Sequence, residues 1–137
     1  IYRPSYISLH TALSFYGMIP ESVVQITSVT SLKTASFAND FGEYSYKNVK
    51  ENLMFGYKLK PMADSRTIQF ATPEKALLDL LYLYPFYDNW QELKELRLDE
   101  DYLHDDLDKD VLMESCAMFQ SKALDRRLKL LFKTYNI

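Results

Sequence analysis

The chain has a single cysteine, Cys116, so no disulfide can form within its 137 residues. A lone thiol suits a reducing compartment, and we expect a cytoplasmic protein. Glycine is scarce as well, with three in all, too few to build the backbone-amide loop that cradles a phosphate. The two histidines, His10 and His104, are far apart in sequence, and no His-x-x-x-His or Cys-x-x-Cys spacing suggests a zinc site. No Gly-x-Ser-x-Gly elbow is present to expose a serine nucleophile. No apolar run approaches the ~20 residues of a membrane span, and Ile1-Tyr-Arg-Pro-Ser5 lacks the apolar core of a signal peptide. The expectation is a protein with no catalytic residues, no metal, no cofactor and no membrane partner. Ile1 stands where a Met would open a complete chain, so we also expect an N-terminal portion to precede it.

What is abundant is aromatic. Eleven Tyr and eight Phe within a hydrophobic content of 47% imply a bulky core, and the length suits one domain spanning 1–137. The net charge of −3 hides an uneven distribution. Residues 1–87 carry eight Lys/Arg against seven Asp/Glu, residues 88–114 three against eleven, and residues 115–137 five against one. The simplest reading is that the acidic and basic segments pair across a helical layer.

The clearest element is Ala71-Thr-Pro-Glu-Lys-Ala-Leu-Leu-Asp-Leu-Leu-Tyr-Leu-Tyr84. Thr72 can cap a helix, Pro73 fits its first position and Glu74 meets the dipole. The leucines that follow lie on nearly every side, as in a helix surrounded by core. Helix is therefore predicted over 73–84, with Lys75 and Asp79 as a weak i,i+4 pair on one face. On that basis Leu77→Ala or Leu81→Ala should cost roughly 2–5 kcal/mol, and Lys75→Ala much less.

Before this helix, an extended lead at 2–5 gives way to a helix over Leu9–Tyr16 capped by Ser8, with Gly17 just beyond its end. A strand follows over Val23–Val29. A hairpin of Thr34–Ala38 and Glu43–Lys47 turns at Asn39-Asp-Phe-Gly42. A further strand at Leu53–Leu59 has a bulge at Gly56, a loop covers Lys60–Ser65, and a last strand runs over Arg66–Ala71. After Pro85 the pattern is helical: Trp90–Leu96 with Asp88 as cap and Trp90, Leu93 and Leu96 inward, then Lys109–Met118 and Ser121–Phe132. Residues 98–106 fit no single pattern. The fold class is α+β, a small and mostly antiparallel sheet of about five strands within 23–71, packed with helix 73–84 and a C-terminal helical segment.

Two groups of residues could carry chemistry. Lys122, Arg126, Arg127, Lys129 and Lys133 share the polar face of the last helix and could meet a nucleic-acid backbone or a partner. Glu74, Lys75 and Asp79, with Asp40 or Glu43, could form a metal-dependent nuclease site if they converged on one ion. Helix capping and dipole pairing explain the second group more simply. The hydroxyl-rich stretch Thr27-Ser-Val-Thr-Ser31 has the composition of many ordinary strands.

Several phrases also stand in a meaningful order: Tyr6-Ile-Ser-Leu-His-Thr-Ala-Leu-Ser-Phe-Tyr-Gly-Met-Ile-Pro20, Ile26-Thr-Ser-Val-Thr30, Phe41-Gly-Glu-Tyr-Ser-Tyr46, Phe55-Gly-Tyr57 and Ala71-Thr-Pro-Glu-Lys-Ala-Leu-Leu-Asp79. Over residues 2 to about 84 the chain resembles the antitoxin-type C-terminal domain of the AbiEi family. That family is the antitoxin and transcriptional-regulator half of bacterial type IV toxin–antitoxin systems for abortive infection and phage defence. The resemblance implies a core at 2–84, a helical tail at 88–135 and a preceding winged-helix domain that binds operator DNA for autorepression. It implies a nucleotidyltransferase-like toxin as functional partner, with no stable complex required, and no catalytic residues. Thr72, Pro73, Glu74, Lys75 and Asp79 form the densest part of the signature, and their expected role is structural.

Overall fold

The computed structural model describes residues 3–61 and 67–137. In chain order the strands are β1 (Ser5–Ile7), β2 (Ile26–Thr30), β3 (Ala35–Asn39), β4 (Gly42–Asn48), β5 (Tyr57–Pro61) and β6 (Thr67–Ala71). The helices are α1 (Leu9–Phe15), α2 (Pro73–Leu83), α3 (Trp90–Glu95), α4 (Lys109–Met118) and α5 (Lys122–Tyr135). The class is α+β, with all six strands in one sheet ordered β3-β4-β2-β1-β6-β5.

Two expectations about the sheet are corrected. It has six strands rather than five, and it is mixed rather than largely antiparallel. The extra strand is β1, which the sequence disguises as an extended lead because it is three residues long. It runs antiparallel to β2, with Tyr6 opposite Val29, and parallel to β6 at Ile7 and Phe70. β2 in turn runs parallel to β4, from Ile26 opposite Tyr44 to Thr30 opposite Asn48. The β3–β4 hairpin is as expected, closing at Asn39 and Gly42. The Asn39 side chain accepts from the Phe41 amide, and Gly42 takes φ +140°, a conformation open to glycine.

The strand expected at Leu53–Leu59 also differs. Residues 51–53 form a single 3-10 turn, and β5 begins only at Tyr57. Gly56 is not a bulge; it is a left-handed residue just before the strand, at φ +75°. Lys60 and Pro61 belong to β5. The rest of the expected loop, together with Arg66 of the last expected strand and Tyr2 of the lead, lies outside the described residues.

α2 is the centre of the molecule. Thr72 caps it by accepting from the Lys75 amide, and every residue from Glu74 to Leu81 is buried. Such a helix must be packed on all sides, and α1, α4, α5 and β6 supply the packing. The tail is therefore not an appendage: Leu112, Cys116, Phe119, Leu124, Leu128, Leu131 and Tyr135 are buried in the same hydrophobic cluster as Leu9, Leu13 and Leu77. α3 is capped by Asn89, whose side chain accepts from the Glu92 amide, and Asp88, the expected cap, binds Arg126 instead. Trp90, expected inward, is 57% exposed, whereas Leu93 and, at the C-cap, Leu96 are buried as expected and anchor the six-residue α3. The ambiguous stretch 98–106 ends in a single π-helical turn at Tyr102–Asp106, pinned by the buried Leu103. No helix among the described residues is long and apolar enough to cross a membrane.

Candidate functional site

Lys75 and Asp79, the two residues that interrupt the apolar surface of α2, form the expected i,i+4 pair, but not a weak one. Their exposures are 1% and 0%, and they lie at the centre of a buried polar network. Lys75 Nζ donates to Asp79 Oδ1 at 2.9 Å, to the Tyr6 hydroxyl at 2.7 Å and to the Leu53 carbonyl at 2.7 Å. All three ammonium protons are thereby used. The other carboxylate oxygen of Asp79 accepts from Tyr6 and Ser8, each at 2.8 Å. A buried charge that lacked such partners would cost several kcal/mol.

Each partner comes from a different part of the chain. Tyr6 lies on β1. Ser8 stands at the N-cap of α1 but makes no capping bond with its side chain; the expected capping role is given up for Asp79. Leu53 ends the 3-10 turn. The rings of Phe55 and Phe119 lie 4.4 Å and 5.2 Å from Lys75 Nζ, adding cation–π attraction in a desolvated setting. The role of Gly56 follows from the same geometry. A Cβ there would sit 2.8 Å from Lys75 Cγ, so glycine is required both for its φ and for the close approach of the lysine stem.

The electrostatics follow from burial. Burial lowers Lys75 below the usual lysine range, opposed by the charge of Asp79 and its hydrogen bond. Burial raises Asp79, opposed by Lys75 and by the hydrogen bonds from Tyr6 and Ser8. Burial also raises the Tyr6 phenol, and the adjacent Asp79 raises it further, so Tyr6 keeps its proton and relays between ammonium and carboxylate. With Ser8 at 0% and Tyr6 at 1% exposure, the network is closed to substrate. It fixes where β1, the 51–56 turn and α2 meet.

Glu74 diverges from this network. Its Oε2 accepts from the Asp108 amide at 3.0 Å, tying the start of α2 to the N-cap of α4. Glu74, Lys75 and Asp79 therefore do not converge on one point, and Asp40 and Glu43 lie on the exposed β3–β4 hairpin. No group of three or more His, Cys, Asp or Glu among the described residues has the arrangement of a metal site. The convergence that the nuclease reading requires is not there.

The basic face of α5 is narrower than the sequence suggests. Arg127 is buried and donates from Nη1 to the Leu81 carbonyl at 3.0 Å, satisfying an orphan carbonyl near the end of α2. Its Nε has no hydrogen-bond partner and lies 3.9 Å from Asp88 Oδ1. Arg126 holds Asp88 with two hydrogen bonds, which keeps that carboxyl below its usual range. Lys122, Lys129 and Lys133 remain exposed. The acidic and basic segments thus do pair, but through Asp88 rather than broadly.

The i,i+4 spacing of Lys75 and Asp79 indicates that the two can pair and says nothing of the network around them. The signal was available: two charges on a helix with no polar side must be buried, and buried charges recruit partners. Tyr6 and Ser8, 73 and 71 residues from Asp79, could not be named from sequence.

Compared with models of known families, with curated proteins and with solved structures, the chain has no match.

Proposed function

We propose that these residues form the non-enzymatic antitoxin and regulatory domain of an AbiEi-type protein. In this reading it acts in the cytoplasm against a nucleotidyltransferase-like toxin and supports operon autorepression through operator DNA bound by a preceding winged-helix domain. One observation supports the reading above the others. Three of the five phrases that carry the resemblance meet at one point: Tyr6 and Ser8 from the first, Phe55 and Gly56 from the fourth, Lys75 and Asp79 from the fifth. Residues that knit a scaffold together are what a fold-defining signature would contain, and their burial agrees with a domain that acts through its surface.

The test is co-expression of the full protein containing these residues with the nucleotidyltransferase-like gene adjoining its own. Growth should be restored, and Lys75→Met should abolish the rescue by lowering the level of folded antitoxin. Continued arrest by a toxin proven active alone, with the antitoxin well expressed and folded, overturns the reading. If the isolated chain instead shifts operator DNA with steep salt dependence, and Gln at Lys122, Lys129 and Lys133 removes that shift without touching rescue, DNA binding is added to this domain.

A further inference from the structure

Beyond the antitoxin reading, and independent of it, one cavity has a chemistry of its own. It opens between α1, the 19–25 segment leading into β2, the 84–87 turn and α3, and measures about 680 Å³. That lies within the range of small-molecule sites. One wall is aromatic. Tyr84, Phe86 and Tyr87 pack on each other, with Phe86 and Tyr87 ring centroids 4.3 Å apart. His10 meets the edge of Tyr84 at 5.4 Å, and its Nε2 lies 3.5 Å from the Tyr87 hydroxyl.

The lining is also acidic. Glu21, Glu92 and Glu95 all line the cavity. Glu21 is already held by Arg97, which leaves its charge largely spent. Glu92 and Glu95, both on α3, are in no ion pair among the described residues. Burial lowers His10, opposed by Glu21, so the imidazole adds no positive charge at neutral pH.

This combination selects its ligand class. Unpaired carboxylates repel an anion, and a neutral apolar ligand would desolvate them without compensation. For a bare metal ion, no three of the described His, Cys, Asp or Glu residues are grouped closely enough to hold it. An organic cation satisfies both kinds of lining at once, its charge towards the carboxylates and its carbon or guanidinium face on the rings. The molecule already shows the contact: Lys47 Nζ lies 5.2 Å from the centroid of Tyr84, an ammonium resting on the ring that lines the cavity.

We propose that this cavity binds an organic cation, an alkylammonium or guanidinium group, between the wall of Tyr84, Phe86 and Tyr87 and the carboxylates of Glu92 and Glu95. The group could come from a free polyamine or from a Lys or Arg side chain of a partner protein, and the two sources can be separated. The chain is titrated at physiological salt with spermidine, with a short arginine-containing peptide capped at both ends, and with glutarate as an anionic control. Binding is followed by amide chemical shifts and by calorimetry. Saturable shifts are expected at His10, Tyr84, Phe86 and Glu92, with none from glutarate. Spermidine alone saturating the site identifies a free cation, the peptide alone identifies a partner side chain, and both together identify the shared group. The double variant Glu92→Gln/Glu95→Gln and, separately, Phe86→Ala should each weaken binding at least about tenfold, with circular dichroism unchanged because all three side chains are at or near the surface. The proposal is overturned if neither cation shifts these amides, if glutarate binds equally, if the variants bind as well as the native chain, or if the shifts centre on the acidic 99–110 stretch.

Discussion

Replacing Lys75 by Met tests the central claim about the fold. Methionine keeps most of the stem that lies against Gly56, so the change removes the ammonium, with its contacts to the Phe55 and Phe119 rings, and little else. Three acceptors lose a donor at once: the Leu53 carbonyl, the Tyr6 oxygen and Asp79 Oδ1. Asp79 keeps Tyr6 and Ser8 but becomes a buried anion without a counter-charge. Breaking a buried ion pair from one side costs about 3–5 kcal/mol, which for a domain with a total stability of ~5–15 kcal/mol is roughly a fifth or more. A surface i,i+4 pair is worth only about 0.3–0.5 kcal/mol, so the two pictures differ by roughly tenfold in energy. The assay is urea unfolding followed by circular dichroism at 222 nm, comparing midpoints at equal slope. Asp79→Asn in the Lys75→Met background should then cost less than the sum of the single changes, because the second substitution removes the stranded charge. A loss below about 1 kcal/mol for Lys75→Met, or strict additivity in the double variant, would refute the buried network. The expectation that Lys75→Ala is mild, drawn from helix spacing alone, is reversed.

Gly56→Ala should cost about 2–5 kcal/mol, from the left-handed backbone and the collision with the Lys75 stem together; Gly17→Ala, at the same φ of +75° but with nothing within 4 Å, should cost only about 1–2 kcal/mol, both read as shifts in thermal midpoint. Glu74→Ala should lose about 1.5–3 kcal/mol, the value of a hydrogen bond to a charged group, and hydrogen exchange should show earlier opening at the start of α4, where the Asp108 amide is freed. Stability should fall as pH rises from about 9 towards 12. Burial, with the Asp125 hydrogen bond and charge adding, pushes the Cys116 thiol up to about 12, and burial, with nearby charged groups adding, pushes the Tyr16 and Tyr87 phenols up to about 12. Each is protonated in the folded chain where the unfolded chain has ionised. Cys116→Ala should flatten the lower part of that decline in urea midpoints measured against pH.

The helices were legible because caps and leucine spacing are local. Thr72-Pro73-Glu74 marks the start of α2, and Ser121 marks α5 by accepting from the Leu124 amide. The hairpin was legible for the same reason, with Asn39 and Gly42 placed where a tight turn needs them. What escaped depends on partners distant in sequence. A three-residue strand has no periodicity to read, so β1 was invisible until β2 and β6 flanked it. The polar face of α5 was overcounted because an arginine can lie on the boundary of a helix and turn inward, as Arg127 does towards Leu81. Lys75 and Asp79 escaped because spacing says which residues can touch, whereas only the packing of α1, α4 and α5 says whether water reaches them.

The position of β1 has a consequence for the order in which the protein can assemble during synthesis. β2, β3 and β4 are consecutive in sequence and contiguous in the sheet, as are β5 and β6, so each group can pair as it emerges. β1 is the joint between them. It is made before the other five strands of the sheet, yet its second edge waits for β6 and its tyrosine for Asp79, the latter 73 residues further on. Until then the first strand of this sheet is also an unfinished one, with an open edge. Contacts so far apart slow folding, because the loop must close before they form, and an open edge is a template for mispairing. Completion of α2 is therefore the event that closes the sheet, and a truncated chain ending before Asp79 should be prone to aggregate.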